Sequence, residues 1–273
     1  MNTIPLIIAF AFFMEMMDST VIATSLPVIA ADLCTSPIAL KLALTSYLVA
    51  LGMFIPVSGW MADTFGARRV FRTAILVFVI GSVACAFSDS LLTFVLSRFL
   101  QGMGGSMMVP VGRLILVRTF EKKDLVHAMT LMTIPGLIGP MAGPPLGGFL
   151  TTYLSWHWIF LVNVPIGLVG IWMCGIYLPD IARRETSGLD WKGFLLTGTA
   201  AAGIVFGLSV ISLPALPPVV GVVTTLVGVC ALGAYVRHTR RTARPILDPV
   251  LFRNRAFGLT LLGTNLFRIS SGS

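Results

Sequence analysis

Two carboxylic acids lie where the surrounding residues are hydrocarbon. Glu15 and Asp18 interrupt a run from Ile4 to Ala31 whose other polar side chains are hydroxyls. Standing three residues apart, they share one face if the run is helical. A carboxyl group in a low-dielectric setting can take up a proton and return it as its surroundings change. Reversible protonation is therefore the chemistry open to these two positions; the alternative is a structural carboxyl hydrogen-bonded to a neighbouring element. Arg98, inside a second apolar run, is the natural counter-charge for Asp18. Arg113 follows fifteen residues later, ~60° round a helix and ~22 Å along it, where it could snorkel out of the apolar layer.

These residues need elements to hold them. The chain has 273 residues, 56% of them hydrophobic and 11% charged, against about 25% charged in a soluble domain. Apolar runs long enough to cross a bilayer recur along the whole length. They predict spans over 5–30, 41–60, 72–88, 91–117, 126–152, 157–178, 193–212 and 217–236, with a ninth opening near Ala256. Backbone groups in lipid must be satisfied within the span, so these are helices, and the fold class is an all-α membrane protein. Counted from Pro5, Glu15 and Asp18 then lie ~15 and ~20 Å deep, near the midplane. An ionised group there costs at least ~2.5–3.5 kcal/mol on insertion scales, which argues for a task.

The net charge of +8 would suggest nucleic acid in a soluble protein. Here fifteen of the nineteen basic residues fall in alternate connections, containing Arg68, Arg69 and Arg72; Arg118, Lys122 and Lys123; Arg183, Arg184 and Lys192; and Arg237 to Arg255. The intervening connections have none, apart from Lys41 at one border. That asymmetry predicts a cytoplasmic N-terminus and excludes a nucleic-acid partner. The first run is read as a retained span because no basic residue precedes it and two acids lie within it.

Gly139, Gly143 and Gly147 recur every four residues beside Pro140, Pro144 and Pro145, a bare ridge on which another helix can pack closely. The prolines are expected to kink that helix. Gln101 to Ser106 form a similar small-residue patch. Cys34, Cys85, Cys174 and Cys230 form no CxxC pair, and no metal or cofactor is expected. Asp63, Glu121, Asp124, Asp180, Glu185, Asp190 and Asp248 are scattered beside basic residues, so a membrane-embedded enzyme finds no catalytic constellation. Met17 and Met107, with Gln101 and Arg113, are candidates to line an adaptable cavity, although core packing is the commoner use of methionine. His127, His157 and His238 are read as surface or interface residues.

Five motifs together carry a resemblance. Gly59-Trp-Met-Ala-Asp63-Thr-Phe-Gly66-Ala-Arg68-Arg69 resembles the loop motif of the major facilitator superfamily. Thr64 and Ala67 stand where that pattern often has basic residues, which leaves a latch resting on Asp63, Arg68 and Arg69. Arg98-Phe-Leu-Gln101-Gly102 is similar to the family's fourth-helix motif, and Gly139-x3-Gly143-Pro144-x2-Gly147-Gly148 to its fifth-helix antiporter motif. Asp18-Ser-Thr to Leu26-Pro27 and Trp156-His-Trp to Asn163-Val-Pro165 resemble the drug:proton antiporters with fourteen spans, with Ala23 where asparagine is usual.

The resemblance implies a six-helix bundle over 1–180, two additional helices over 181–236, a basic cytoplasmic loop over 237–255 and the start of a second bundle over 256–273. The 237–255 stretch is read equally as a linker or an ordinary loop. The resemblance further implies proton-coupled efflux of lipophilic or cationic small molecules across a bacterial plasma membrane, with Asp18, Glu15 and Arg98 in coupling. The lipid bilayer would surround a carrier that is monomeric at full length. A carrier of another solute, or a fragment that does not transport, are the alternatives.

Overall fold

A computed structural model describes residues 3–181, 183, 188–211, 217–242, 245–247 and 263. The described residues form helices α1 (Thr3–Asp32), α2 (Pro37–Phe65), α3 (Ala67–Ala86), α4 (Leu91–Thr119), α5 (Lys122–Tyr153), α6 (His157–Leu161), α7 (Asn163–Tyr177), α8 (Trp191–Ile211) and α9 (Pro218–Thr239), with no strand among them. Among the described residues eight spans are long and apolar enough to cross a membrane, α6 and α7 together making the sixth. The chain is a multi-pass membrane protein. Large apolar side chains such as Leu92, Leu137 and Leu226 face outward, as lipid allows and water does not.

The expected sixth span, 157–178, is one apolar span over His157–Tyr177, in which helical hydrogen bonding is interrupted after Val162 although that residue keeps helical dihedrals. Pro165 has no N–H for the carbonyl four residues back, so the helical ladder lapses there. The break leaves Asn163 as the first residue of α7, its side chain buried in the bundle. By contrast α5 runs unbroken through Pro135, Pro140, Pro144 and Pro145. The ninth span expected from Ala256, the second part of the basic loop, and Arg184, Glu185, Asp248 and Arg268 lie outside the described residues.

Close helix approach organises the bundle. The glycine ridge of α5 seats on α1: a Cβ at Gly143 would stand 2.1 Å from Thr20 Oγ1, and one at Gly139 3.0 Å from Met16 Cβ. On α4, Gly102 lies against the Tyr47 backbone of α2, while Gly104 lies against Phe78 of α3. With α4 held between α2 and α3, and α7 packed on α1 and α3, five helices converge on one buried region. Helices α8 and α9 form a hairpin that leans on α2 through α8.

The ends of the helices are marked by caps. Ser36 accepts from Ala39 N at 3.1 Å ahead of α2, and Ser90 with Thr93 forms a capping box on α4. At the opposite, basic end Gly66 turns α2 into α3 with φ 92, a conformation that a side chain would strain. Arg183 lies beside that turn, and Arg68 donates to the Gly175 carbonyl in the last turn of α7. Asp190 caps α8 by accepting from Gly193 N at 2.9 Å and also binds His238 Nε2 at 2.9 Å, tying α8 to the end of α9. His238 is therefore held in a pair, where a plain surface position was expected.

Candidate functional site

Asp18 of α1 and Arg98 of α4 meet in the interior. Arg98 Nη1 donates to Asp18 Oδ2 at 2.6 Å, and both side chains have 0% exposure. Arg98 is the largest fully buried side chain among the described residues. Taking two charges out of water is costly, and only good geometry with further hydrogen bonds offsets it. Those bonds are present. Gln101 Nε2 donates to Asp18 Oδ1 at 2.9 Å and Asn163 Nδ2 to the same oxygen at 3.0 Å. Gln101 Oε1 in turn accepts from Arg98 Nη1 at 2.6 Å.

Ser82 of α3 closes the cluster, accepting from Gln101 Nε2 at 2.8 Å and from Asn163 Nδ2 at 3.3 Å. The faces of Tyr47 and Phe160 cover the Arg98 guanidinium, with centroids at 4.5 and 5.9 Å. Such stacking suits a planar cation that has been stripped of water. Arg98 Nε and Nη2 make no hydrogen bond, and neither do Glu15 Oε2, Tyr47 Oη and Asn163 Oδ1. The site is a dry carboxylate–guanidinium pair with donors fixed around the carboxylate and spare hydrogen-bonding atoms beside it.

The residues expected to do chemistry are thus partly brought together. Glu15 shares the buried face of α1 with Asp18, but its Oε2 has no partner. Of the four candidate cavity residues, Gln101 belongs to the Asp18 cluster, Met17 and Met107 are buried in the two apolar cores, and Arg113 is exposed. A cleft of 640 Å³ opens elsewhere, between α2, α4, α8 and α9, lined by Ser46, Phe99, Phe206 and Thr224 among others. The fifth-helix residues Gly139, Gly143 and Gly147 face α1, whereas Pro144 and Gly148 are exposed.

The latch differs from expectation. Asp63 Oδ1 accepts from Arg118 Nη2 of α4 at 2.5 Å, not from Arg68 or Arg69, and α3 begins without a side-chain cap. Arg68 is drawn instead to the carbonyl end of α7, and Arg69 is exposed. Gly59 is exposed, with open space where a Cβ would stand.

Sequence reasoning missed Ser82, Tyr47 and the role of Asn163. Serine and tyrosine are too common in spans to stand out, but an asparagine two residues before a span-interrupting proline was a usable signal. Among the described residues no group of three or more His, Cys, Asp or Glu could hold a metal ion.

Comparison with known proteins agrees with this architecture. The chain is 41% identical over 266 residues to the "Putative multidrug resistance protein MdtD" of Escherichia coli K12, and 40% identical to that of Citrobacter koseri, each match covering 97% of this chain. It spans 56% of those relatives, about half their length. Among solved structures, a D-xylose–proton symporter superposes with TM-score 0.60 at 15% identity, covering 83% of this chain and 65% of that one. The human organic anion transporter MFSD10 gives 0.56 at 15% identity, covering 79% and 57%. At these identities the likeness is one of fold. The profile of the Major Facilitator Superfamily matches residues 8–246, and the chain belongs to that superfamily of transporters.

Proposed function

We propose that this chain is the N-terminal part of a bacterial inner-membrane exporter that exchanges protons for lipophilic or cationic small molecules, of the kind with fourteen spans. The observation that carries this reading is the Asp18–Arg98 pair, fully buried and bonded to helices α3, α4 and α7 through Ser82, Gln101 and Asn163. A protein needing only stability gains little from such a pair, since well-packed apolar residues of the same volume hold helices as well or better. A carrier that must bind a proton in one state and lose it in another needs a carboxylate there.

Glu15 serves as a second protonatable group one turn nearer the basic end. The basic end faces the cytoplasm, the excess of arginine and lysine opposing its translocation. Helices α1–α7 form the first bundle and α8–α9 the extra pair, with 237–255 as the connection onward. Asp63 and Arg118 act as the cytoplasmic latch. The relatives are named as putative multidrug resistance proteins, which supports a drug-like solute; because the chain spans about half of them, transport is assigned to the carrier that includes the remainder, with the solute bound near the midplane between two bundles.

The test is solute movement in proteoliposomes under an imposed pH gradient, using the full-length carrier containing this chain. Asp18→Asn is expected to abolish gradient-driven transport while solute binding persists. Gradient-driven transport that survives Asp18→Asn would overturn the reading in favour of a carrier driven another way. The 273-residue chain alone is expected to give no transport in the same vesicles.

A further inference from the structure

The polar cluster contains an acceptor that its present hydrogen bonds leave unused. With Asp18 ionised and paired to Arg98, both carboxylate oxygens can only accept. The amide of Asn163 must then turn Nδ2 toward Asp18, as it does at 3.0 Å, which leaves Oδ1 buried without a donor. Asn163 has 0% exposure, so bulk solvent does not reach that atom. Ser82 Oγ accepts from both amides, and its own O–H reaches no acceptor among the described residues.

Protonation of Asp18 inverts the demand. The new carboxylic O–H must donate to something. Gln101 Oε1 is taken by Arg98 Nη1 at 2.6 Å and is approached by Cys85 Sγ at 3.7 Å. Ser82 Oγ is taken by two donors. Of the buried acceptors without a partner, Glu15 Oε2, Tyr47 Oη and Asn163 Oδ1, the last belongs to a group already bonded to Asp18, and a half-turn of the amide exchanges Oδ1 and Nδ2 at nearly the same positions. In that orientation Oδ1 can accept from the Asp18 O–H and from the Ser82 O–H together.

We propose that Asn163 is a positioning residue that reads the protonation state of Asp18, its amide donating to the carboxylate and turning over to accept from the carboxylic acid. The proposal rests on proton uptake at Asp18, as in the function proposed above. The step balances simply: one proton from the aqueous phase binds an Asp18 oxygen, and no other bond to hydrogen is made or broken. Arg98 of α4 remains charged, covered by Tyr47 of α2 and Phe160 of α6. The other titratable groups around the cluster are Tyr47 on α2, Glu15 on α1 and Cys85 on α3; α5 presents glycines to α1, and α7 presents the neutral Asn163. Val162 keeps helical dihedrals ahead of α7, so the backbone holds Asn163 in place and only its side-chain amide needs to turn.

The test is infrared difference spectroscopy of the purified chain in liposomes as pH is varied, with ¹³C-asparagine labelling. The carboxylic C=O band that titrates is assigned to Asp18 by its loss in Asp18→Asn. A labelled amide C=O band is expected to shift with the same pH profile and to vanish in Asn163→Ser, which keeps a rotatable hydroxyl and the Asp18 band. Asn163→Leu is expected to lose the amide band too. An Asp18 band that titrates with no accompanying amide change sinks this proposal alone. An amide shift that survives in Asn163→Ser sinks it as well. Absence of any titrating Asp18 band defeats both this proposal and the proton-coupled reading.

Discussion

Two arginine–aspartate pairs reach across the bundle, and water separates their characters. Asp18–Arg98 is entirely buried, at 2.6 Å, with three further polar side chains arranged around it. Asp63–Arg118 lies at the basic end at 2.5 Å, with side chains 26% and 14% exposed. In the interior each charge has nowhere else to go, so losing one partner strands the other. At the rim water and neighbouring charges stand in for a lost partner, and the pair is worth little. The same chemistry therefore gives a dry, enclosed pair in one place and a partly hydrated pair in the other.

The largest effect is expected from breaking the inner pair on one side. Asp18→Asn or Arg98→Ala should each lower the stability of the purified chain by about 3–5 kcal/mol in an SDS-unfolding titration. Asp18→Asn combined with Arg98→Met should recover much of that loss, because no charge is left buried. A double variant as unstable as the worse single one would show that the pair is needed for packing beyond its charges.

The two pairs also differed in how readable they were. Asp18 and Arg98 were legible because apolar spans contain few charges, and few charges mean few possible partners. The glycine ridge was legible for a related reason: a stripe without side chains predicts close contact, and α1 occupies it. Which arginine would pair with Asp63 was not legible, because the basic end offers many cations. Arg68 and Arg69 are nearer in sequence, but the geometry of the α2–α3 turn sends Arg68 to Gly175 and leaves Arg69 exposed. Ser82 and Tyr47 were not legible as site residues, since their role depends on which helix faces meet, and periodicity in an almost uniformly apolar span does not reveal that; Asn163, two residues before a proline inside a span, carried a signal that went unused. The spans themselves were read to within a few residues, apart from the break before α7.

A middle-sized effect should come from a substitution that makes the inner pair more like the outer one. Gly143 is seated against Thr20 and Val21, within one turn of Asp18. Gly143→Leu would force α5 away from α1 and admit water beside Asp18. Overpacking of this kind costs about 1–3 kcal/mol. Hydrogen exchange of the α1 amides near Asp18 should accelerate in the variant. Unchanged exchange would mean that the helices adjust elsewhere and the inner pair keeps its dry surroundings.

The smallest effect belongs to the outer pair, and its salt dependence separates it from the inner one. A double-mutant cycle with Asp63→Asn and Arg118→Gln should give a coupling of about 0.2–1 kcal/mol. Raising the ionic strength from 0.1 M to 1 M shortens the screening length from ~10 to ~3 Å, so the coupling should fall toward zero. The corresponding Asp18–Arg98 cycle should stay nearly constant, since ions do not enter a site with no exposed surface. Arg69→Ala serves as the control for the reassigned partner and should leave the Asp63–Arg118 coupling unchanged. If Arg69→Ala removes that coupling, the exposed arginine takes part in the tether after all. A salt-insensitive outer cycle would place Asp63 and Arg118 in the same electrostatic class as the buried pair and erase the distinction between a site and a latch.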